Sequence, residues 1–185
     1  MKRTSYAITV PLINQIGEVA FQMWDALDKQ FHICYSKNRS QVPHLTLTAG
    51  ESLTERKVML GRLKAFMAMQ EPFTMKSNGL GIFLLENPLI YIRWYLSDEL
   101  SQLYTSASNY FKENISVVDS SVDPKIWVPK TTIAMKDVTC EDLPKIIGKL
   151  RSYNVKQEMH FHQLALMTYG SNGEDVIETV SLHSE

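Results

Sequence analysis

The chain has little of what would place it in a specialised class. Cysteine is scarce: Cys34 and Cys140 are the two in 185 residues, and they are far apart with no ligand-like spacing. One disulfide is allowed on count, but a reduced cytosolic pair is the expectation. Charge of one sign is missing as well. Nineteen Lys and Arg stand against 20 Asp and Glu, a formal net charge of −1. That balance argues against a broad electrostatic footprint for duplex DNA and leaves room for a small nucleotide or the end of an RNA. Long hydrophobic runs are also lacking. The apolar stretch after Lys2 and Arg3 ends by Asn14, too short for a membrane span, and no small-residue cleavage site follows. A cytoplasmic monomer with no membrane partner is expected. No grouping of ligating residues reads as a metal centre. Glu158, His160 and His162 share a strand face, but no further acid, His or Cys supports them, and a solvated face is the better reading. Low-complexity tracts are absent, and 44% hydrophobic with 21% charged residues is ordinary for a globular chain.

What is present is a regular alternation of helical and extended patterns. Tyr6 to Val10 reads as a strand ended by Pro11. Ile16, Val19, Ala20, Met23, Trp24, Leu27 and Phe31 mark one face of an amphipathic helix. The polar stretch Tyr35 to Ser40 reads as a loop in which Lys37 and Arg39 could steer an anion. His32, at the preceding helix end, is explained by the helix dipole. Ser52 and Glu55 form a capping-box pattern before a helix carrying Met59, Leu63, Phe66 and Met67. Phe73 to Leu85 looks extended, with a bulge or bend at Gly79-Leu80-Gly81, and Asn87-Pro88 turns into a strand over Leu89 to Leu96.

The order then repeats. Ser97 caps a helix bearing Leu100, Leu103, Tyr104, Ala107 and Phe111, and the polar connection Asp119 to Pro124 leads to another strand. Thr139 and Asp142 open a helix with Leu143, Ile146, Ile147 and Leu150 inward. Gln157 to Thr168 is extended, Ser171-Asn172-Gly173 turns, and Asp175 to Leu182 is a closing strand. A repeated strand–helix–strand–turn–strand unit points to internal duplication. The expected fold is α+β, two-lobed, with mostly antiparallel sheets around a central cleft and helices outside.

Within this order a phrase occurs twice: Pro43-His44-Leu45-Thr46-Leu47-Thr48 and Pro129-Lys130-Thr131-Thr132-Ile133-Ala134. Strand side chains alternate faces, so His44 and Thr46 point to one side and Leu45 and Leu47 to the other. Lys130 and Thr132 likewise share a face opposite Thr131 and Ile133. An imidazole, an ammonium and two hydroxyls in one cleft suit a phosphoester. Tyr91, Arg93 and Tyr95 share a face of the strand over Leu89 to Leu96. If that face lines the cleft, Arg93 could meet phosphate and a tyrosine could stack on a base; a snorkelling arginine between half-buried tyrosines explains it equally well.

These residues resemble the two-histidine phosphoesterases, whose best-known branch is the RNA 2′,5′-ligase-like group. That family carries a His-x-Thr/Ser-x motif in each half of a duplicated α+β fold. His44-Leu45-Thr46-Leu47 matches the first, and Lys130-Thr131-Thr132-Ile133 stands at the second, led in by Trp127-Val128-Pro129. The segment Gly79-Leu80-Gly81-Ile82-Phe83 and the stretch Leu164-Ala165-Leu166 are also similar to family segments. The resemblance implies one domain over 1–185 with halves of about 1–96 and 97–185, each holding one motif. It implies phosphodiester chemistry without metal or cofactor, on a 2′,3′-cyclic phosphate or 2′,5′ linkage of a small nucleotide or RNA end. By the same match His44 is a general base or acid, and Thr46 and Thr132 hold phosphate oxygens. Lys130 departs from the pattern. A lysine ordinarily titrates near 10.4, and service as a base at neutral pH would need a depression costing ~4 kcal/mol. Its expected role is therefore cation or acid beside His44. The alternative is a catalytically impaired nucleotide- or RNA-binding protein on the same fold.

Overall fold

The computed structural model describes residues 3–117, 122–170 and 173–182. Asp119, Ser120 and Ser121 of the expected connection over Asp119 to Pro124, and Ser171 and Asn172 of the expected turn, lie outside the described residues. The elements in chain order are β1 (Thr4–Pro11), α1 (Gln15–Phe31), α2 (Tyr35–Arg39), β2 (His44–Ser52), α3 (Arg56–Met67), β3 (Phe73–Phe83) and β4 (Leu89–Trp94), then α4 (Asp98–Phe111), β5 (Ser116–Val117), β6 (Lys130–Ala134), α5 (Leu143–Leu150), β7 (Glu158–Phe161), β8 (Gln163–Gly170) and β9 (Gly173–Ser181). Every named strand pairing is antiparallel.

The strands form one sheet in the order β7-β3-β4-β6-β2-β1-β8-β9, with β5 added beside β2. The two strands that open with the repeated phrase, β2 and β6, are neighbours at its centre. The β3–β4 hairpin lies beside β6 and the β8–β9 hairpin beside β1, so each flank mixes strands from before and after residue 97. Each motif strand's outer pairing carries one register shift, at Ile8/Thr9 against β2 and at Ile90/Tyr91 against β6. Such bulges sharpen the local twist and let the sheet curl around a cleft. β3 bends where the sequence indicates: its register with β4 shifts between Ser77 and Leu80, and Gly79 takes φ 84°, a left-handed conformation that glycine adopts without strain.

Burial follows the strand period. Leu45, Leu47, Thr131 and Ile133 are all at most 1% exposed, while His44, Thr46, Lys130 and Thr132 are half-buried. Thr131 is the polar member of that inward set, and the indole Nε1–H of fully buried Trp94 donates to its hydroxyl at 3.0 Å. A buried hydroxyl without such a partner would be costly. Leu45, Leu47 and Ile133 share one apolar core with Met59, Leu63 and Phe66 of α3 and Leu100, Leu103 and Phe111 of α4. Among the described residues no helix is long and apolar enough to cross a membrane.

Three local readings are corrected. Tyr35 to Arg39 is a helix, not a loop, because the Asp137 carboxylate accepts from the backbone N–H of Cys34 and Tyr35 at 2.8 and 2.6 Å. That is a helix-capping contact made by a residue distant in sequence, just beyond β6. The Ser52–Glu55 capping box does not form: Ser52 ends β2, its hydroxyl accepts from the Thr54 N–H, and Glu55 caps α3 with no side-chain bond. The extended stretch over Gln157 to Thr168 divides at His162 into β7 and β8, which join opposite flanks of the sheet. The cap at Ser97 forms as the sequence indicates, its hydroxyl accepting from the Leu100 N–H.

Candidate functional site

In the central pair, Leu45 lies opposite Thr131. Antiparallel register then sets His44 beside Thr132 and Thr46 beside Lys130, all on the face away from the core. Directly opposed residues of such a pair have Cβ atoms about 5 Å apart, and diagonal neighbours such as His44 and Lys130 about 7–8 Å. That span accommodates one phosphate group between the diagonal side chains. The four side chains line one cavity of about 270 Å³.

His44 is held in a defined orientation. Its Nδ1 lies 2.9 Å from the carbonyl oxygen of Val42, with the Ser40 hydroxyl at 3.4 Å. A carbonyl can only accept, so Nδ1 carries the proton in the neutral ring and Nε2 presents its lone pair. Nε2 faces the Glu174 carboxylate at 3.8 Å. On the other side of the cavity, the Lys130 ammonium lies 5.9 Å from the centroid of the Phe83 ring. Trp127 forms a wall, its indole Nε1–H donating to the Thr46 carbonyl at 3.2 Å and its ring stacked on Tyr104 at 3.9 Å and 10°. The tryptophan ahead of the second motif thus braces the first motif strand.

Further lining comes from segments with no motif. Trp24 arrives from α1, and Tyr35, Ser36 and Arg39 from α2. Asp137 follows β6 and caps α2, so the second motif strand's exit positions the wall beside the first motif. Lys136 in the same turn lies over the Tyr35 ring at 4.9 Å. Arg39 donates to the carbonyl of Gly170. Glu174 enters from β9, which a bridge from Ser40 to Glu174 and the Gln41–Asp175 hydrogen bond at 2.9 Å tie to the segment entering β2. A smaller recess of about 70 Å³, lined by Ala7, Ala49, Met167 and Tyr169, shares His44, Thr46 and Glu174 with the main cavity.

The structure separates the sequence candidates. His44, Thr46, Lys130 and Thr132 converge. Tyr91 and Arg93 lie across the strand from Thr132 and Lys130, yet neither lines the cavity. Tyr91 is buried, its ring 4.7 Å from that of Phe83 and packed over Gly81, while Arg93 is exposed. Tyr95 falls past the end of β4 and is exposed, outside the cavity. Of the two loop cations, Arg39 lines the cavity, whereas Lys37 is bound by Asp28 and Asp25 at 2.8 and 3.0 Å. Those carboxylates hold its ammonium above the usual lysine range, hydrogen bonding to Asp28 foremost. Glu158 pairs with Lys76 and His160 meets the Thr74 hydroxyl, away from any cluster. Among the described residues no three His, Cys, Asp or Glu side chains are grouped to hold a metal ion. The sequence does not mark Glu174, Trp24 or Tyr35 as site residues: Trp24 reads as part of a buried helix face and Tyr35 as loop, and the Ser171-Asn172-Gly173 turn signal is the nearest pointer to Glu174.

A curled antiparallel sheet with paired motif strands at its centre and one cleft on its polar face defines a two-motif α+β fold. The chain belongs to the 2′-5′ RNA ligase superfamily, whose family model matches residues 16–173. Among solved structures it is similar to TT0787 of Thermus thermophilus, at 18% identity with a TM-score of 0.61, covering 96% of this chain and 97% of that one. It is also similar to E. coli LigT in its apo form, at 14% identity and TM-score 0.62 over 100% of both chains. LigT complexed with 3′-AMP gives 12% identity and TM-score 0.57 over the same full coverage. These likenesses establish the shared fold. A search of curated proteins gave no match.

Proposed function

We propose that this chain is a phosphodiesterase-like protein that acts with side chains alone on a small nucleotide or an RNA end carrying a 2′,3′-cyclic phosphate or a 2′,5′ linkage. The observation that carries the reading is the β2–β6 register, which sets an imidazole, an ammonium and two hydroxyls around one cavity. His44 Nε2, with Nδ1 tied to the Val42 carbonyl, takes a proton from the attacking water or hydroxyl. Thr46 and Thr132 hold the non-bridging oxygens and set the phosphorus in line. Lys130 stabilises the developing charge and protonates the leaving oxygen. Family membership supports the reaction class, and the E. coli LigT structures with phosphate and with 3′-AMP support a nucleotide-sized ligand. The two halves, about 1–96 and 97–185, then supply one motif each to a single site.

Lysine at the second motif favours a second reading, in which the site binds nucleotides without turning them over. Phosphorus NMR of the protein with 2′,3′-cyclic nucleotides and 2′,5′-linked dinucleotides separates the two. Turnover lowered by about 10²-fold or more in His44→Ala establishes the enzyme, since a positioned acid or base contributes on that scale. Binding with no turnover by the intact protein establishes the second reading. Lys130→His then reports on the lysine: a lower rate marks a dedicated acid or clamp, and a higher one marks the loss of an ancestral imidazole. Neither binding nor turnover with any of these ligands overturns both.

A further inference from the structure

Among the described residues lining the main cavity, Glu174 is the one carboxylate, set among His44, Arg39 and Lys130. An acid there is unexpected in a cleft built for an anion. It lies 3.8 Å from the His44 nitrogen on which the proposed chemistry rests and borders both the main cavity and the small recess. It is also held in place. β9 pairs it with Tyr169, the bridge to Ser40 fixes its backbone, and the Val176 N–H and Asp175 carboxylate that follow it bond to Gln41. The side chain is one third exposed, so its charge acts on the cavity with only partial solvent screening.

We infer that Glu174 is a charge-selecting residue that admits singly charged phosphodiesters and disfavours doubly charged phosphomonoesters at the His44 site. The inference rests on the phosphodiester reading above. A fixed carboxylate repels a bound phosphate in proportion to the phosphate's charge. A diester carries one negative charge, whereas a monoester carries close to two above its second pKa of about 6. Opening a 2′,3′-cyclic phosphate with water breaks one P–O bond to the ribose and forms one to the water oxygen. One proton of the water goes to the ribose oxygen and the other is released to solvent above the second phosphate pKa of about 6, so the monoester product carries one more negative charge than the substrate. The carboxylate therefore weakens product more than substrate and favours its release.

The proportionality gives a numerical signature. If Glu174→Gln tightens a monoanionic ligand by about 5-fold, the matching dianion should tighten by about the square of that, ~25-fold. The probes are 2′-deoxyadenosine 3′-phosphate and its methyl diester, which lack the 2′-hydroxyl and cannot cyclise. Calorimetric titration of both at a pH of about 8, above the second phosphate pKa, is run on wild type and Glu174→Gln. Glu178→Gln removes the same charge from a half-buried β9 position paired with Lys64 and outside the cavity lining, and so controls for net charge. The expected result is a larger gain for the monoester than the diester in Glu174→Gln and no shift in either for Glu178→Gln. Equal gains for both ligands, or none, with wild-type binding intact, overturn the charge-selecting role alone. Absence of binding by both ligands to wild type and variant also overturns this inference, whereas the phosphodiester reading itself falls only if the 2′,3′-cyclic and 2′,5′-linked ligands neither bind nor turn over.

Discussion

Replacing Asp137 should loosen the cavity wall while leaving the motif strands in place. Its carboxylate accepts two backbone N–H bonds, from Cys34 and Tyr35, and these hold the first turn of α2. A hydrogen bond to a charged group contributes roughly 1.5–3 kcal/mol, and the group is part-buried, so Asp137→Ala should lose about 2–4 kcal/mol locally. Five residues of helix cannot persist on propensity alone, so the loss appears as opening of α2. Amide hydrogen exchange is the direct assay. Tyr35 to Arg39 should exchange about 30-fold faster or more in the variant, with the β2 and β6 amides unchanged. Asp137→Asn keeps a neutral acceptor, whose bonds contribute about half as much, and should fall between. Because α2 brings Tyr35, Ser36 and Arg39 to the cavity, nucleotide affinity should fall in parallel. Unchanged exchange across α2 in Asp137→Ala would refute the capping argument.

Trp94→Phe removes the donor to the buried Thr131 hydroxyl and leaves a small void; urea denaturation should show a loss of about 2–4 kcal/mol. Trp94→Phe with Thr131→Val should cost less than the sum of the single changes, because both ends of the bond leave together. Gly81→Ala should destabilise by about 1–3 kcal/mol, since an added Cβ would come 2.3 Å from the Tyr91 ring, whereas Gly61→Ala in α3 meets nothing and should gain about 0.5–1 kcal/mol. The Lys76–Glu158 pair between β3 and β7 holds the Glu158 carboxyl below the usual 4.5 through its hydrogen bond with the ammonium. A depressed carboxylate stabilises above its unfolded value and loses that contribution as pH falls through the folded one. The difference in Tm between wild type and Glu158→Gln should therefore be present at neutral pH and vanish as pH falls below 4.5.

Much of this arrangement is written in local pattern. The strand period alone separates Leu45 and Ile133 from His44 and Lys130, and the helical period marks Ile16, Trp24 and Leu27 as one buried face of α1. The bend at Gly79 is legible because only a residue without Cβ takes its left-handed φ freely. What escaped depends on partners distant in sequence. The α2 stretch is polar and short, and the carboxylate that makes it helical lies beyond β6. Tyr91 and Arg93 do share the motif face, as alternation implies, but aromatic packing against Phe83 and Gly81 seals Tyr91 away from the cavity. Glu174 sits on a strand whose burial hardly alternates, so nothing local distinguishes it from Glu178. Its position becomes visible only when the β8–β9 hairpin is laid beside β1. The same holds for β5, two residues that gain a place only by pairing with β2.

The most direct test of the proposed four-residue phosphate site is an imidazole NMR titration with a 2′,3′-cyclic nucleotide. Its Nδ1 anchored on the Val42 carbonyl, His44 points Nε2 into the cavity, while His160 and His162 lie on and beside the far strand β7. The His44 ring resonances should move and saturate with the ligand, His160 and His162 should stay still, and Lys130→Ala and Thr132→Ala should each weaken the response. A ligand that binds while the His44 ring stays unmoved would place the phosphate elsewhere and rule this site out.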